Sequence, residues 1–425
     1  MTTFTKITDE QQPVISVNPA FKLSDIDDKT YSGFTEFVQM RRVPLRTTSK
    51  DVIEALKELN SPVVRYPDGN FCATYHWQDG IGPRENRHKR PELAWIGLES
   101  NQFGTDEYMK WCEKVGISPY IALNMNTGTL DEALAWVEYR NSTQDTYYAN
   151  LRRKNGHEKP YNVKYWALGN EMWGPWQVEQ MTKEDYAKKV FQWAKALKLL
   201  DPSIGLILCG KEGQDAWDYH VLKECIKFDR HARGNDGCLM EMHSIHLYTC
   251  SNDHLENVTA PRAAERCIEM TGAVVDLVLA ENKIPSHVRK QKVCFDEWNV
   301  WDSSRANGRD GAEEKRPRGR NLAQCLHSPE QVHWHGQHCT ICQCHLAPYD
   351  NQVWHLQADN VVAVAAVLSN GLSDIRCMKY EAASFEDKEF GRKEVNMTDT
   401  ILLMLHSQKS SAVFPSRGDY FTEIY

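Results

Sequence analysis

The stretch VKYWALGNE, residues 163–171, passes from an apolar run into a turn that carries an amide and a carboxylate, and it sets the pattern for the fold. Residues 163–168 have the length and the aromatic and β-branched content of a buried strand, and Gly169 ends the run. Similar short apolar runs recur on both sides of this one. They lie at 30–34, 63–66, 120–124, 206–210, 244–248 and 293–296.

Helical patterns separate these runs. The predicted helices are Asp51–Leu59, Asp106–Val115 with Thr105 as its N-cap, Leu130–Tyr139, Lys183–Leu200 ended by Pro202, and Ala263–Ala280. Alternation of strand and helix is typical of the α/β class, in which helical crossovers connect parallel strands. The pattern leaves two architectures open, a doubly wound open sheet and a (β/α)8 TIM-type barrel.

Polar residues at the ends of the strands favour the barrel. They are Glu36, Asn70, Asn124, Asn170, Glu171, His246, Tyr248 and Glu297. In a barrel the carboxyl ends of all strands open onto one face, where catalytic groups gather. The glycine-rich phosphate loop of nucleotide-binding doubly wound sheets does not follow the first strands. We therefore assign seven strand–helix repeats to a barrel.

The composition narrows the class of protein. The 425 residues carry a net charge of −8, which argues against a nucleic-acid partner, and no apolar run approaches the roughly 20 residues of a membrane span. The 13 cysteines are odd in number and scattered, unlike a disulfide framework. The start, MTTFTKITDE, lacks an apolar leader, so we expect a cytoplasmic protein, with secretion as the alternative. No cofactor is expected.

Two glutamates stand out because each comes at the end of a buried run and beside tryptophan. Glu171 follows the fourth predicted strand and Glu297 the seventh. Retaining glycoside hydrolysis uses two carboxyl groups about 5–5.5 Å apart, one as nucleophile and the other as acid and then base. Surroundings rich in tryptophan raise the pKa of the acid by desolvation, as its protonated role requires. The alternative is that both glutamates are salt-bridged strand ends.

Four motifs resemble the α-L-arabinofuranosidases of glycoside hydrolase family 51. They are RYPDGN at 65–70, WQDGIGP at 77–83, GNE at 169–171 with GPW at 174–176, and DEWNVW at 296–301. The resemblance covers most of 15–314 and is closest to the fungal, intracellular-type branch. It implies a retaining mechanism on a (β/α)8 barrel with an added β-sandwich, and homo-oligomers. It also implies Glu171 as acid/base and Glu297 as nucleophile.

The resemblance extends to residues that bind the sugar. It implies Glu36, Asn70 and Asn170 as ligands of the sugar hydroxyls, and His246 and Tyr248 as groups that frame the two carboxyls. Asn170, next to the predicted acid, is suited to bond the 2-hydroxyl, a contact that strengthens in the transition state. The alternatives are that Asn70 only shapes a turn and that His246 is a core histidine.

Two tryptophans are further candidates for substrate binding. Trp77 and Trp176 belong to the motifs above, and the faces of aromatic side chains pack well against sugar rings. Core packing is the alternative for both.

The resemblance ends near Lys315. The following segment contains a cluster of histidines and cysteines, His333, His335, His338, Cys339, Cys342, Cys344 and His345. It lacks a second pair at zinc-finger spacing, so we predict no metal site there. Written as degenerate codons and translated from the second base, 326–353 and 354–371 permit strings similar to the family's helix and eighth strand after the nucleophile. We therefore interpret this segment as a shifted reading frame, which is either a gene-model or splice error or a real pseudogene.

This interpretation sets the predicted domains. They are an N-terminal tail at 1–16, the catalytic barrel at 17–314, the aberrant segment at 315–376 and a C-terminal remnant at 377–425. The eighth strand and the β-sandwich are then lost or aberrant, and a barrel without one strand exposes two edges. We expect the chain in this frame to fold poorly and to have weak or no activity.

The predicted function is hydrolysis of terminal non-reducing α-L-arabinofuranosyl residues from arabinosides and from arabinose-containing oligosaccharides and polysaccharides. Two alternatives remain open. One is another retaining barrel glycosidase, such as an endo-glucanase or xylanase, and the other is an inactive pseudoenzyme that only binds sugar. No membrane or nucleic-acid partner is expected.

The reading-frame interpretation is tested by sequencing the transcript across the codon of Lys315. We expect an insertion, deletion or splice difference near that codon. A continuous message in the frame of the present sequence would contradict the interpretation of a gene-model or splice error.

Overall fold

The computed structural model describes residues 60–94, 97–228, 237–249 and 261–300, together with short pieces between 4 and 57 and four strands between 372 and 407. Its strands are β1 (Phe4–Thr5), β2 (Val14–Asp25), β3 (Gly33–Glu36), β4 (Val63–Asp68), β5 (Arg90–Glu92), β6 (Gly97–Glu99), β7 (Ser118–Ala122), β8 (Tyr165–Leu168), β9 (Gly205–Leu208), β10 (Met242–Thr249), β11 (Lys292–Val300), β12 (Leu372–Glu381), β13 (Ser384–Phe385), β14 (Val395–Asn396) and β15 (Leu405–Ser407). Its helices are α1 (Thr105–Val115), α2 (Leu130–Asn141), α3 (Tyr147–Lys154), α4 (Lys183–Leu200), α5 (Ala216–Cys225) and α6 (Pro261–Glu281).

Seven strands form one parallel sheet in the order β3, β4, β7, β8, β9, β10, β11, which is also their order along the chain. The sheet curls, because the edge strands β3 and β11 approach each other to within 8 Å between Cα atoms. All seven predicted strands are present in this sheet, with bounds shifted by a few residues. The architecture is the α/β barrel type expected from the sequence. The predicted eighth strand falls within 301–371, outside the described residues.

Side chains alternate between the two faces of the sheet, which separates the core into two layers. On the outer face, Trp166, Leu168 and Leu206 pack with the helices, and each of the three is fully buried. On the inner face, small residues such as Ala122 and Ala167, which are paired on the neighbouring strands β7 and β8, belong to a second buried cluster. Because residues of one parity point inward, this alternation also directs charged side chains into the barrel.

The helix termini follow local capping chemistry. The Thr129 hydroxyl accepts a hydrogen bond from the backbone N–H of Glu132 at the start of α2, at 3.1 Å. The prediction that Thr105 caps α1 is wrong: Gly104 is the N-cap, and Thr105 is the first helical residue. The Thr105 hydroxyl instead accepts from the indole N–H of Trp136 at 2.8 Å, so its hydrogen bond ties α1 to α2.

The other predicted helices agree with the structure to within two residues at each end, and Lys183–Leu200 agrees at both ends. Of the predicted helix Asp51–Leu59, the described residues at 53–54 and 56–57 are helical. The sequence patterns missed α3 and α5. Both are short, at 8 and 10 residues, and short helices carry too few turns for a clear apolar period.

Two small antiparallel sheets involve both ends of the chain. Strand β2 pairs with β12, so that Val14 lies opposite Glu381 and Asp25 opposite Asp374, and β12 pairs in turn with β15. Strand β1 pairs with β13, which pairs with β14. Residues of the predicted N-terminal tail therefore join strands of the predicted C-terminal remnant. The domain boundaries and the histidine–cysteine segment remain predictions, and the latter lies outside the described residues. In the described part of the chain, no helix has the length and apolarity to cross a membrane.

We predict that Gly210→Ala destabilises the barrel and that Gly272→Ala does not. A Cβ at Gly210, just after β9, would lie 1.9 Å from the carbonyl oxygen of Ser244 in the neighbouring strand, whereas a Cβ at Gly272 in α6 meets nothing within 4 Å. Overpacking typically costs about 1–3 kcal/mol, and replacing a helical glycine by alanine gains about 0.5–1 kcal/mol. Urea unfolding midpoints measure both changes. Equal midpoints for the two variants would contradict the packing argument.

Candidate active site

Glu171 lies directly after β8, in a turn with unusual backbone angles. Gly169 has a φ of 89° and Glu171 itself a φ of 42°, the left-handed region that side chains with a Cβ rarely adopt. The residue is 6% exposed. Its Oε2 accepts from the indole Nε1–H of Trp176 at 2.9 Å, and its Oε1 lies 3.2 Å from Nδ1 of His246. The turn thus holds a carboxyl group inward, fixed at both oxygens.

The Gly-Pro-Trp motif at 174–176 explains the hydrogen bond from Trp176 to Glu171. A Cβ added at Gly174 would lie 2.6 Å from Cε2 of Trp176, so the indole lies directly against the backbone of Gly174. The indole also contacts Trp173 edge-on, with ring centroids 5.3 Å apart. These contacts orient the indole N–H toward Glu171 and leave 37% of Trp176 exposed.

Glu297 lies in β11 and is 5% exposed. Its Oε1 accepts from the hydroxyl of Tyr248 at 2.6 Å, and its Oε2 accepts from Nη2 of Arg65 at 2.5 Å. Strand β10 supplies two of the residues around it, because His246 and Tyr248 lie on the same face of that strand. The predicted framing pair is therefore adjacent to Glu297.

The two glutamates face each other. One carboxylate oxygen of Glu171, one of Glu297 and a ring nitrogen of His246 all lie within 4.8 Å of one another. This spacing agrees with the about 5–5.5 Å that separates the carboxyl groups of retaining glycosidases, and it is shorter than the about 6.5–9.5 Å of inverting ones. A single sugar ring can therefore contact both groups.

Arg65, which the sequence analysis missed, joins the strands beneath the glutamates. It is 1% exposed and points inward from β4. Besides Glu297, it donates from Nη1 to Oδ2 of Asp296 at 2.7 Å and from Nη2 to Oδ1 of Asn170 at 2.9 Å. An arginine inside the apolar run VVRYP at 63–67 was the available signal, since a charge in a buried strand requires partners.

A register shift in β11 allows Arg65 to bind two consecutive acidic residues. Ile245 lies opposite Phe295, but His246 lies opposite Glu297, so Asp296 is an extra residue in the pairing of β10 with β11. In a regular strand Asp296 and Glu297 would point to opposite faces. The bulge turns both carboxylates toward the barrel interior.

The surroundings of Asp296 and His246 shift the pKa of each group in the direction that favours its charged form. Burial alone raises the pKa of Asp296, but the charge of Arg65 and the hydrogen bond from His246 hold this pKa well below its usual range. Burial alone lowers the pKa of His246, but the charge of Glu297 and hydrogen bonds with Asp296 and Glu171 raise it to about 10. His246 is therefore an imidazolium at neutral pH, with Nε2 facing Oδ1 of Asp296 at 3.2 Å.

The spacing of Glu171, His246 and Glu297 also lies in the range for metal ligands. A protonated His246 has no lone pair to give to a metal ion, and Arg65 already places a cation against Glu297. The described side chains therefore suit a hydrogen-bonded carboxyl pair better than a metal centre.

Two predicted sugar ligands lie on the same side as the glutamates. Asn170 is 2% exposed, and its Nδ2 has no hydrogen-bond partner in the described part of the protein. Asn70 is half-buried in the turn after β4, and its Oδ1 accepts from Nε2 of Gln177 at 3.0 Å. Gln177 is a second residue that the sequence analysis missed, although it follows the Gly-Pro-Trp motif directly.

The remaining predicted residues differ in placement. Trp77 is 1% exposed, stacks parallel to Trp136 with centroids 6.0 Å apart, and donates its indole N–H to the carbonyl oxygen of Glu132. The structure therefore places Trp77 in the main hydrophobic cluster against α2, and its role in substrate binding stays a prediction. The backbone of Glu36 lies at the end of β3, with its Cα paired with that of Asp68, and its side chain lies outside the described atoms.

A curled parallel sheet with two facing, buried carboxyl groups at one end defines the class of barrel glycoside hydrolases. Comparison with known proteins narrows this class. Residues 55–260 match the family model of the alpha-L-arabinofuranosidase 1 domain. The chain is 62% identical over 329 residues to a probable alpha-L-arabinofuranosidase C of Aspergillus niger, covering 74% of this chain and 65% of that relative. It is 60% identical over 328 residues to the alpha-L-arabinofuranosidase C of Emericella nidulans, with the same coverage.

Solved structures agree with these relatives. The arabinose complex of an alpha-L-arabinofuranosidase from Thermotoga maritima superposes with a TM-score of 0.65 at 32% identity, covering 87% of this chain and 76% of that one. The chain belongs to the α-L-arabinofuranosidases of glycoside hydrolase family 51. It spans 65% of the length of the curated fungal relatives above.

We predict that His246 makes the stability of the protein depend on pH above neutrality. The pKa of His246 rises to about 10 in the folded state, from about 6.5 in the unfolded chain. The charged ring therefore contributes fully to the free energy of unfolding below about pH 6.5, and this contribution is lost as the pH rises toward 10. The free energy of unfolding, measured with urea from pH 6 to pH 10, should fall by up to about 1.4 kcal/mol per pH unit more for the unsubstituted chain than for His246→Gln. Parallel curves for the two proteins would contradict a charged His246.

Proposed function

We propose that this chain hydrolyses terminal non-reducing α-L-arabinofuranosyl residues from arabinosides and from arabinose-containing oligosaccharides and polysaccharides, with retention of configuration. The observation that carries the proposal is the approach of Glu171 and Glu297 to within 4.8 Å. The substrate class is supported by the names of the relatives and by the arabinose complex of the Thermotoga maritima protein.

In the first step Glu297 attacks the anomeric carbon. Its two oxygens are held by Tyr248 and Arg65, so the nucleophile is fixed in direction without a further reorganisation. As the bond from Glu297 to the sugar forms, the glycosidic bond breaks and Glu171 gives its proton to the leaving oxygen. The product is a glycosyl ester on Glu297.

In the second step Glu171 acts as a base. It removes a proton from water, the water oxygen attacks the anomeric carbon, and the ester breaks to release the Glu297 carboxylate. The Nδ1 of His246 lies 3.2 Å from Glu171 and 3.4 Å from Glu297, so one ring nitrogen contacts both catalytic carboxyl groups.

Asn170 supports binding of the sugar ring next to Glu171. The Nδ2 of Asn170 is a buried donor next to Glu171 that the described side chains leave for a ligand. A hydrogen bond from this donor to the sugar 2-hydroxyl strengthens as positive charge develops at the anomeric carbon.

Localisation in the cytoplasm is part of the proposal. No disulfide links the described cysteines, Cys72, Cys112, Cys209, Cys225, Cys238, Cys267 and Cys294, to one another. Free thiols on this scale suit a reducing compartment.

We predict that Glu297→Gln and Glu171→Ala remove activity in different ways. With 4-nitrophenyl α-L-arabinofuranoside, loss of the acid/base lowers the rate of the second step by about 10²–10⁴-fold, and added azide restores turnover of Glu171→Ala because azide needs no base. Azide does not restore Glu297→Gln, which cannot form the ester. Glu113→Ala, an exposed glutamate on α1, is the matched control and should keep full activity.

The same assay separates the alternatives when it is run on the present chain and on the chain with the reading frame restored. The proposal expects turnover in the restored-frame chain, and lower turnover in the present chain. Faster turnover of the aryl glucoside or xyloside would indicate another retaining glycosidase. Arabinoside binding without turnover in both chains would indicate a pseudoenzyme.

A further inference from the structure

Gln177 connects the two asparagines of the candidate sugar site. It is 6% exposed and lies in a turn closed by a hydrogen bond from its backbone N–H to the carbonyl oxygen of Gly174, at 3.0 Å. Its side-chain Nε2 donates to the backbone carbonyl oxygen of Asn170 at 3.1 Å and to Oδ1 of Asn70 at 3.0 Å. Its Oε1 is buried and has no hydrogen-bond partner among the described residues.

The orientation of Gln177 follows from chemistry that allows only one arrangement. A backbone carbonyl oxygen only accepts hydrogen bonds, so the end of Gln177 that faces Asn170 must be the NH2 group. The same NH2 group faces Asn70. The end of Asn70 that meets it must therefore be an acceptor, which is Oδ1.

A fixed Oδ1 fixes the other end of Asn70. Its Nδ2, for which no hydrogen bond to a described residue is found, is then available as a donor. Asn70 and Asn170 thus both present N–H donors, and both owe part of their position to one side chain. Hydroxyl oxygens of a sugar are the acceptors that such a pair fits.

We propose that Gln177 is a positioning residue that fixes which way the side-chain amide of Asn70 is turned. Its NH2 group binds Oδ1 of Asn70, so that the NH2 group of Asn70 is the end that donates to an arabinofuranosyl hydroxyl. This inference rests on the proposed function, because it assigns Asn70 to the sugar. Gln177 itself does not touch the reacting atoms. A glutamate at 177 keeps the shape of the side chain but loses the donor, so Asn70 turns its own NH2 toward it and presents Oδ1 to the sugar.

A double-mutant cycle tests the proposal in a background that binds without turnover. Glu297→Gln is combined with Gln177→Glu, with Asn70→Ala and with both, and the Kd of 4-nitrophenyl α-L-arabinofuranoside is measured by calorimetry. Each single change should weaken binding by about tenfold, the value of one lost hydrogen bond. Because the effect of Gln177 on the sugar passes through Asn70 as well as through the backbone of Asn170, the double change should weaken binding by clearly less than the about hundredfold that independent effects would give.

Two further variants test whether the effect comes from the amide group of Gln177. Gln177→Met removes the donor without forcing Asn70 to turn, so it should weaken binding less than the isosteric Gln177→Glu, the opposite of what a role in filling space would give. Gln180→Glu is the matched control, because Gln180 lies exposed three residues away and, among the described residues, donates to the carbonyl oxygen of Trp173 and to neither asparagine. It should leave Kd unchanged.

The outcomes separate the two proposals. Additive losses in the cycle, or a Met variant that binds worse than the Glu variant, would overturn the role of Gln177 while arabinoside binding itself remained. No binding of the arabinoside in the Glu297→Gln background, together with no turnover by the chain with the reading frame restored, would overturn the proposed function instead.

Discussion

The guanidinium of Arg65 is the interaction on which the site depends. It is fully buried, yet it reaches Glu297, Asp296 and Asn170, which come from two different parts of the barrel wall. Arginine cannot lose its charge in a protein, so its two carboxylate partners are required to compensate it. The geometry of the nucleophile is therefore part of the stability of the barrel, since removing one member of a buried charge pair costs about 3–5 kcal/mol.

His246 is the second cation of the site, and like Arg65 it is compensated by nearby carboxylates. His246 lies with Nε2 only 3.3 Å from Nη1 of Arg65, a contact between two positive groups. Asp296 offsets the repulsion between these two groups, because one oxygen of Asp296 accepts from Arg65 and the other faces His246. The Tyr120 hydroxyl also donates to Asp296, at 2.8 Å. Glu297, Asp296 and Glu171 thus together raise the pKa of the ring that contacts both glutamates.

The sequence predicted the features that repeat and missed those that break the repeat. Seven strands could be assigned because apolar runs and helices alternate, and Glu171 and Glu297 could be placed because each follows such a run. Asp296 could not be placed, since strict alternation along β11 would point it away from Glu297 and only the bulge brings it inward. Gln177 could not be identified from the sequence, because its role depends on a backbone carbonyl group and on Asn70, which is 107 residues away in the chain.

Position 171 is constrained by its backbone as well as by its chemistry. The left-handed φ of 42° would suit glycine, asparagine or aspartate best, but glycine and asparagine have no acid, and aspartate is one methylene too short to keep both of its oxygen contacts. No natural replacement satisfies the backbone and the chemistry together. The demands of the turn and of the reaction therefore oppose each other at this position, so the acid is kept in a backbone conformation that its own side chain disfavours.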